Sequence, residues 1–156
     1  MGTTRWLDDG EQRTWRAFLA ATQRVREELD RQLQRDSGMP LAYYQILAML
    51  SEAPERTLTM SRLARTTRSS ASRLSHAVTK LEGRGWVKRT QHPADHRTTL
   101  ATLTDEGFAA LEEAAHGHVE QVRRVLFDHL TPEGTEQLHT ICRAILEGTR
   151  EGPTPE

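Results

Sequence analysis

The chain carries a single cysteine, Cys142, so it can form no intrachain disulfide and no thiolate-rich zinc cluster. It lacks any apolar run approaching the ~18 residues a membrane helix needs, and its N-terminus has no signal-peptide core, which together predict a soluble, cytoplasmic protein. Aromatic residues are only 5%, so no aromatic-lined sheet or large cofactor cavity is advertised, and no cofactor is expected. Hydrophobic residues, at 36%, fall below the usual share for a globular domain and suit a long, partner-seeking helical shape. There is no glycine-rich phosphate loop, no nucleophile motif and no pair of carboxylates on a defined scaffold, so the sequence does not read as an enzyme. Histidines do not repair the lack of metal ligands. His116 and His118 splay apart on a helix, His92 and His96 straddle Pro93 in a loop, and no acid or thiol falls at ligand spacing nearby.

What the chain does have is segregated charge. The net charge of −1 alone argues against a nucleic-acid binder. Between Arg56 and Leu100, however, ten bases face two acids, a net of +8, while the remaining eleven bases and twenty acids net −9. A cationic surface on an acidic body suits phosphates, or an acidic protein partner.

Periodicity gives the elements. Residues 9–36 read as one helix with Trp15, Phe18, Thr22, Val25, Leu29 and Leu33 along one face. Asp8 or Asp9 caps it, and Gly38 and Pro40 end it. A second helix covers 41–52, Leu58 sits in a short strand, and Thr59 or Ser61 opens a short helix holding Leu63 and Ala64. Ser69 or Ser70 caps the next helix, which runs to Arg84 before Gly85. Strand-like runs at 86–90 and 98–103 flank polar turn residues, a hairpin signal. Thr104 caps a long helix with Phe108, Leu111, Ala115, Val119, Val122 and Leu126 as its buried face. Thr131-Pro132-Glu133 starts a last helix lined by Leu138, Ile141, Ile145 and Leu146, and the tail beyond Gly148 should fray.

In the helix opening near Ser69, spacing at 100° per residue places Ser70, Leu74, Ala77, Val78 and Leu81 on one side, and Ser69, Ser72, Arg73, His76 and Lys80 on the other. The second side is a row of short donors and long cations. Arginine forks onto guanine, serine meets either kind of base pair, and lysine meets phosphate. Any amphipathic surface helix shares this pattern; the hairpin after it adds weight. Arg97 follows Asp95 by two residues at a narrow β-tip, where a guanidinium can enter a minor groove and a neighbouring carboxylate can hold it. The plainer alternative is an ordinary turn ion pair.

Several strings together resemble one family. They are Leu63-Ala64, Ser69-Ser70-Ala71-Ser72-Arg73, and the run from Lys80 through Gly85-Trp86-Val87-Lys88-Arg89. Pro93-Ala94-Asp95-His96-Arg97 and Leu103-Thr104-Asp105-Glu106-Gly107 complete the set. The chain is similar in these to the MarR family of winged helix-turn-helix transcriptional regulators, over nearly its whole length. Trp86 stands where that family commonly has leucine or isoleucine, and His96 where arginine is frequent. The resemblance implies a mostly α fold with a small β-hairpin wing. Residues 1–36 would form an N-terminal dimerisation helix, 41–103 the DNA-binding lobe, 104–150 C-terminal dimerisation helices, and 151–156 a flexible tail. It implies double-stranded DNA as partner, bound by a homodimer, with Arg97 in the minor groove and Asp95 bracing it. The DNA-binding set is then Ser69, Ser70, Ser72, Arg73, His76, Lys80, Arg89, Asp95, His96 and Arg97.

Dimerisation also follows from the end helices, whose apolar residues a thin core cannot cover: Trp6, Leu7, Phe18, Phe127, Leu130, Leu138, Ile141 and Ile145. Family members often bind small aromatic acids between the dimer helices and the DNA lobe; Trp15, Arg16, Tyr43 and Tyr44 are the residues that suit this, although ordinary packing explains each as well. Cys142, set among Leu138, Ile141 and Ile145, reads as a buried inert thiol. The overall expectation is a sequence-specific regulator, a repressor released by an aromatic ligand. The alternatives are a ligand-independent DNA-binding or a protein-binding winged helix.

Overall fold

The computed structural model describes residues 4–149; the expected flexible tail at 151–156 lies outside them. Six helices and a small antiparallel sheet follow in the order α1 (Asp9–Ser37), α2 (Leu41–Ser51), β1 (Thr57–Thr59), α3 (Met60–Thr67), α4 (Ala71–Gly83), β2 (Val87–His92), β3 (Asp95–Leu103), α5 (Asp105–Val125) and α6 (Pro132–Gly148). Local chemistry sets the boundaries. Asp8 and Glu11 form a reciprocal capping box on α1, and left-handed Gly38 closes it. Thr59, Ser70, Thr104 and Thr131 each accept a backbone N–H at the start of the following helix.

The core lies in the middle of the chain. Leu33, Met39, Leu47, Leu50, Leu63, Leu74, Val78 and Leu81 are the largest side chains fully withdrawn from solvent. Burying a leucine of this kind contributes about 1.5–3 kcal/mol relative to leaving it exposed. The three on α4 fix that helix's rotation: with Leu74, Val78 and Leu81 inward, Ser72, Arg73, His76 and Lys80 face out. The sheet has the order β1-β3-β2, so β3 is central and the β2–β3 hairpin projects from it.

Several sequence expectations need correction. The strands reach further into the hairpin than 86–90 and 98–103, leaving Pro93 and Ala94 as its turn, because Asp95 pairs opposite His92 across an irregular step in register. Ser70 is an exposed cap rather than part of the packed side of α4. On α5 the buried positions are Gly107, Leu111, Ala114 and Gln121, and Val119, expected inside, is exposed. Trp15, Phe18 and Thr22 are exposed on α1, which buries only Gln32 and Leu33. Cys142, expected buried, is exposed, as are its neighbours Ile141 and Ile145. For Cys142, Ile141 and Ile145 the reason is that α6 buries no residue within its own chain, so periodicity marked an apolar face that the chain's own core does not cover.

Candidate nucleic-acid interface

The helix-turn-helix is α3 and α4, joined by Arg68, Ser69 and Ser70. Arg68 takes a left-handed conformation (φ 51°), and Ser69 N–H closes back on the Ala64 carbonyl at 2.9 Å. Ser70 then caps α4 by accepting from Arg73 N–H at 3.2 Å. Ser72, Arg73, His76 and Lys80 stand exposed along the free face of α4, and Ser69 is half-buried at its entrance.

The wing is bolted to the flank of α4. Glu82 Oε1 accepts from Arg89 N–H at 2.9 Å, and Oε2 accepts from Arg89 Nε at 2.8 Å. Arg89 Nη2 donates further to Thr79 Oγ1 at 3.0 Å. The Arg89 side-chain hydrogen bond, backed by that N–H, holds the Glu82 carboxyl below its ordinary range. Arg89, read from the sequence as a DNA contact, therefore spends its guanidinium inside the protein. Thr79 and Glu82 were missed by sequence reasoning. The signal available was that they lie three apart on the α4 flank next to the packed face.

At the wing tip the expected brace takes a different form. Asp95 does not pair with the Arg97 guanidinium. Its Oδ1 accepts from the Arg97 backbone N–H at 3.0 Å and its Oδ2 from Thr98 Oγ1 at 2.8 Å. Those bonds, the Thr98 one foremost, lower the carboxyl's pKa. Asp95 thus folds the backbone of the wing, as a short polar side chain does in turns, and leaves the Arg97 side chain free. His96 is exposed beside it, and His92 Nδ1 accepts from Ala94 N–H across the turn at 3.1 Å.

Arg97 and α4 share a groove of about 400 Å³, lined by Ala71 and Ser75 from α4, by Thr59 and Ser61, and by Arg89, Arg97 and Thr98 from the wing. Of the bases between Arg56 and Leu100, three serve the fold. Arg56 pairs with Asp105 and lies 3.9 Å over the Phe108 ring, Arg84 donates to the Gly38 carbonyl, and Arg89 holds Glu82. Among the described residues, Arg62, Arg65, Arg68, Arg73, Lys80, Lys88 and Arg97 make no ion pair.

The other sequence-predicted residues lie elsewhere. Trp6 and Leu7, before α1, Phe127, between α5 and α6, and Phe18, Ile141 and Ile145, on α1 and α6, are exposed, while Leu130 and Leu138 are half-buried. The four residues expected to line a ligand cleft are not brought together within one chain. Leu41 N–H donates to Asp30 Oδ1, which anchors the start of α2 near residue 30; Trp15 and Arg16 then stand about 20 Å away along α1, at 1.5 Å per residue. Tyr44 instead meets His118, with ring centroids 4.2 Å apart. Burial raises the Tyr44 pKa and lowers that of His118. Gln32 Oε1 and His118 Nδ1 are buried there without a hydrogen-bond partner among the described residues.

A short helix, an outward-facing basic helix and a β-hairpin pinned to its flank define a winged helix-turn-helix protein. A family model described as MarR family matches residues 37–98. The chain is 46% identical to Sco3205, a MarR family transcriptional regulator from Streptomyces coelicolor solved in complex with DNA; the match covers 98% of this chain and 96% of that one, with a TM-score of 0.93. It is 37% identical to AbsC, another such regulator from Streptomyces coelicolor, over 93% of this chain and 97% of that one, with a TM-score of 0.87. Among curated proteins it is 37% identical to the HTH-type transcriptional regulator PecS of Dickeya dadantii over 48% of this chain, and spans only 42% of PecS. The chain belongs to the MarR family of transcriptional regulators, whose members are not enzymes.

Proposed function

We propose that this protein is a sequence-specific DNA-binding regulator that acts as a homodimer on a pseudo-palindromic operator. The carrying observation is the exposed row Ser72, Arg73, His76 and Lys80, whose side chains have no protein partner among the described residues, on a helix to whose flank the Arg97-bearing wing is pinned through Glu82 and Arg89. Ser69 and Ser70 flank the entrance to the same face. In this reading α4 enters a major groove, Arg73 reads bases and Lys80 meets phosphate. Arg97 enters the adjoining minor groove, Asp95 shapes the wing, and His96 lies along the backbone. Arg89 acts through Glu82 as a strut. The 46% identity to a regulator solved with DNA supports the assignment.

Residues 41–103 form the DNA-binding lobe, and the segments 1–36 and 104–150 supply the dimer helices. The partner is a second copy, because α6 buries nothing in its own chain and presents Ile141, Ile145 and Leu146 to solvent. Repression follows if the operator overlaps a promoter. A small aromatic acid that releases DNA would need residues from both copies, because Trp15, Arg16, Tyr43 and Tyr44 are not brought together within one chain. No helix among the described residues is long and apolar enough to cross a membrane.

A mobility-shift titration across salt tests the reading. Regulation predicts binding to a genomic operator at least tenfold tighter than to random duplex, with affinity falling steeply as salt rises. Equal affinity for random duplex would mean sequence-blind coating. No shift at low salt would leave a protein-binding winged helix.

A further inference from the structure

The turn of the helix-turn-helix holds a residue that the fold does not favour. Arg68 occupies the left-handed position that ends α3, with φ 51° and ψ 39°. Its N–H and that of Ser69 close on the Ala64 and Arg65 carbonyls, a helix ending in which glycine is preferred because a Cβ crowds the following carbonyl. The only other non-glycine residues with positive φ among those described are Glu55 and Arg56, which form one turn. Of these, Arg56 reaches Asp105 and the Phe108 ring. Arg68 has no such partner. Its side chain is exposed, and no hydrogen bond or ion pair to it is found among the described residues.

A side chain kept at a glycine position, unpaired, between α3 and the reading helix, implies a use outside the chain. We infer that Arg68 is a DNA-backbone contact, a guanidinium that takes one duplex phosphate beside the entry of α4. The inference rests on the DNA-binding reading above. Arg65, also unpaired, lies with Arg68, Ser69 and Ser70 on the helix-turn-helix side of a cavity whose other side is the end of α6, Arg143, Leu146, Glu147 and Thr149. The acid among its lining residues, Glu147, already accepts from Arg143 Nε at 3.2 Å. An anion from outside therefore meets two uncompensated guanidinium groups. Arginine suits phosphate because its planar fork donates to two oxygens at once.

The inference separates stability from affinity, because glycine relieves the backbone while removing the cation. The experiment compares wild type, Arg68→Gly and Arg68→Lys by thermal unfolding and by mobility shift on operator and random duplex at several salt concentrations. Arg68→Gly is expected to melt no lower than wild type, yet to bind both duplexes about three- to tenfold more weakly, with the salt slope shallower by about one ion. Arg68→Lys, which keeps charge and strain but loses the fork, is expected to keep the wild-type salt slope and to bind with an affinity between those of wild type and Arg68→Gly. Wild-type affinity and slope in Arg68→Gly would overturn the inference, as would a loss of affinity that tracks a lowered melting temperature. A wild-type protein that shifts no duplex at any salt would overturn the DNA-binding reading itself, and the inference with it.

Discussion

Glu82 on the reading helix receives both the backbone N–H and the Nε–H of Arg89 on the first wing strand, at 2.9 and 2.8 Å. One carboxylate thus ties the angle of the wing to the rotation of α4. Both side chains are about 30% exposed, so the pair is only partly screened by solvent. Glu82→Gln should lower folding stability by on the order of 1 kcal/mol and weaken operator binding, although neither residue need touch DNA. The pH dependence has a fixed sign. The Glu82 pKa is lowered from 4.5 in the folded state, so its contribution is complete above about pH 4.5 and is lost as pH falls through the depressed value. Denaturation from pH 7 to pH 3 should show the gap between wild type and Glu82→Gln closing at the acid end. A gap that stays constant contradicts the ionic strut.

The wing tip makes a second prediction. Asp95 orders backbone rather than the Arg97 side chain. Asp95→Asn keeps an acceptor for the Arg97 N–H and should retain most of the affinity, whereas Asp95→Ala should weaken binding severalfold. Arg97→Ala should cost at least ~1 kcal/mol of binding free energy, as for a groove contact. Were Asp95 to act by holding the guanidinium, the double variant would bind no more weakly than Arg97→Ala. Equilibrium titration of Asp95→Asn, Asp95→Ala, Arg97→Ala and the Asp95→Ala/Arg97→Ala double variant decides this.

Gly107 packs where no side chain fits. A Cβ there would lie 2.2 Å from the Trp86 carbonyl oxygen and 2.8 Å from Leu103 Cδ1. Gly107→Ala must push α5 away from the end of the wing, at a cost on the order of 1–3 kcal/mol. Urea denaturation measures it directly; an unchanged midpoint would show that α5 shifts freely.

His118 sits half-buried against Tyr44, and burial lowers its pKa from 6.5. The unfolded chain then takes up a proton at a higher pH than the folded one. Burial of this ring carries no protonation cost well above pH 6.5, where both states are neutral, and lowers stability increasingly as pH falls below it. His118→Phe should therefore lose less stability than wild type between pH 7.5 and pH 5, measured by thermal unfolding.

The reading helix was legible because Leu74, Val78 and Leu81 recur at helical spacing and Arg73, His76 and Lys80 do not share their side. Caps at Thr59, Ser70, Thr104 and Thr131 were legible because each lies immediately before a helical pattern and is able to accept a backbone N–H. Burial along α1 and α6 was not, since an apolar stripe predicts a covered face without saying by which chain. Cys142 on α6 was misplaced for that reason. Nor was the fate of Arg89 legible. Whether a cation faces phosphate or a carboxylate seven residues back depends on how the strand folds over the helix, which spacing within one element does not encode.

Selection of bound sites from random duplex tests the central claim most directly. Two reading helices on a twofold particle predict a pseudo-palindromic motif with half-sites about 10 bp apart, centre to centre, and Arg73→Ala should relax one base position in each half. A motif without twofold symmetry, or no enriched motif at all, would contradict the account.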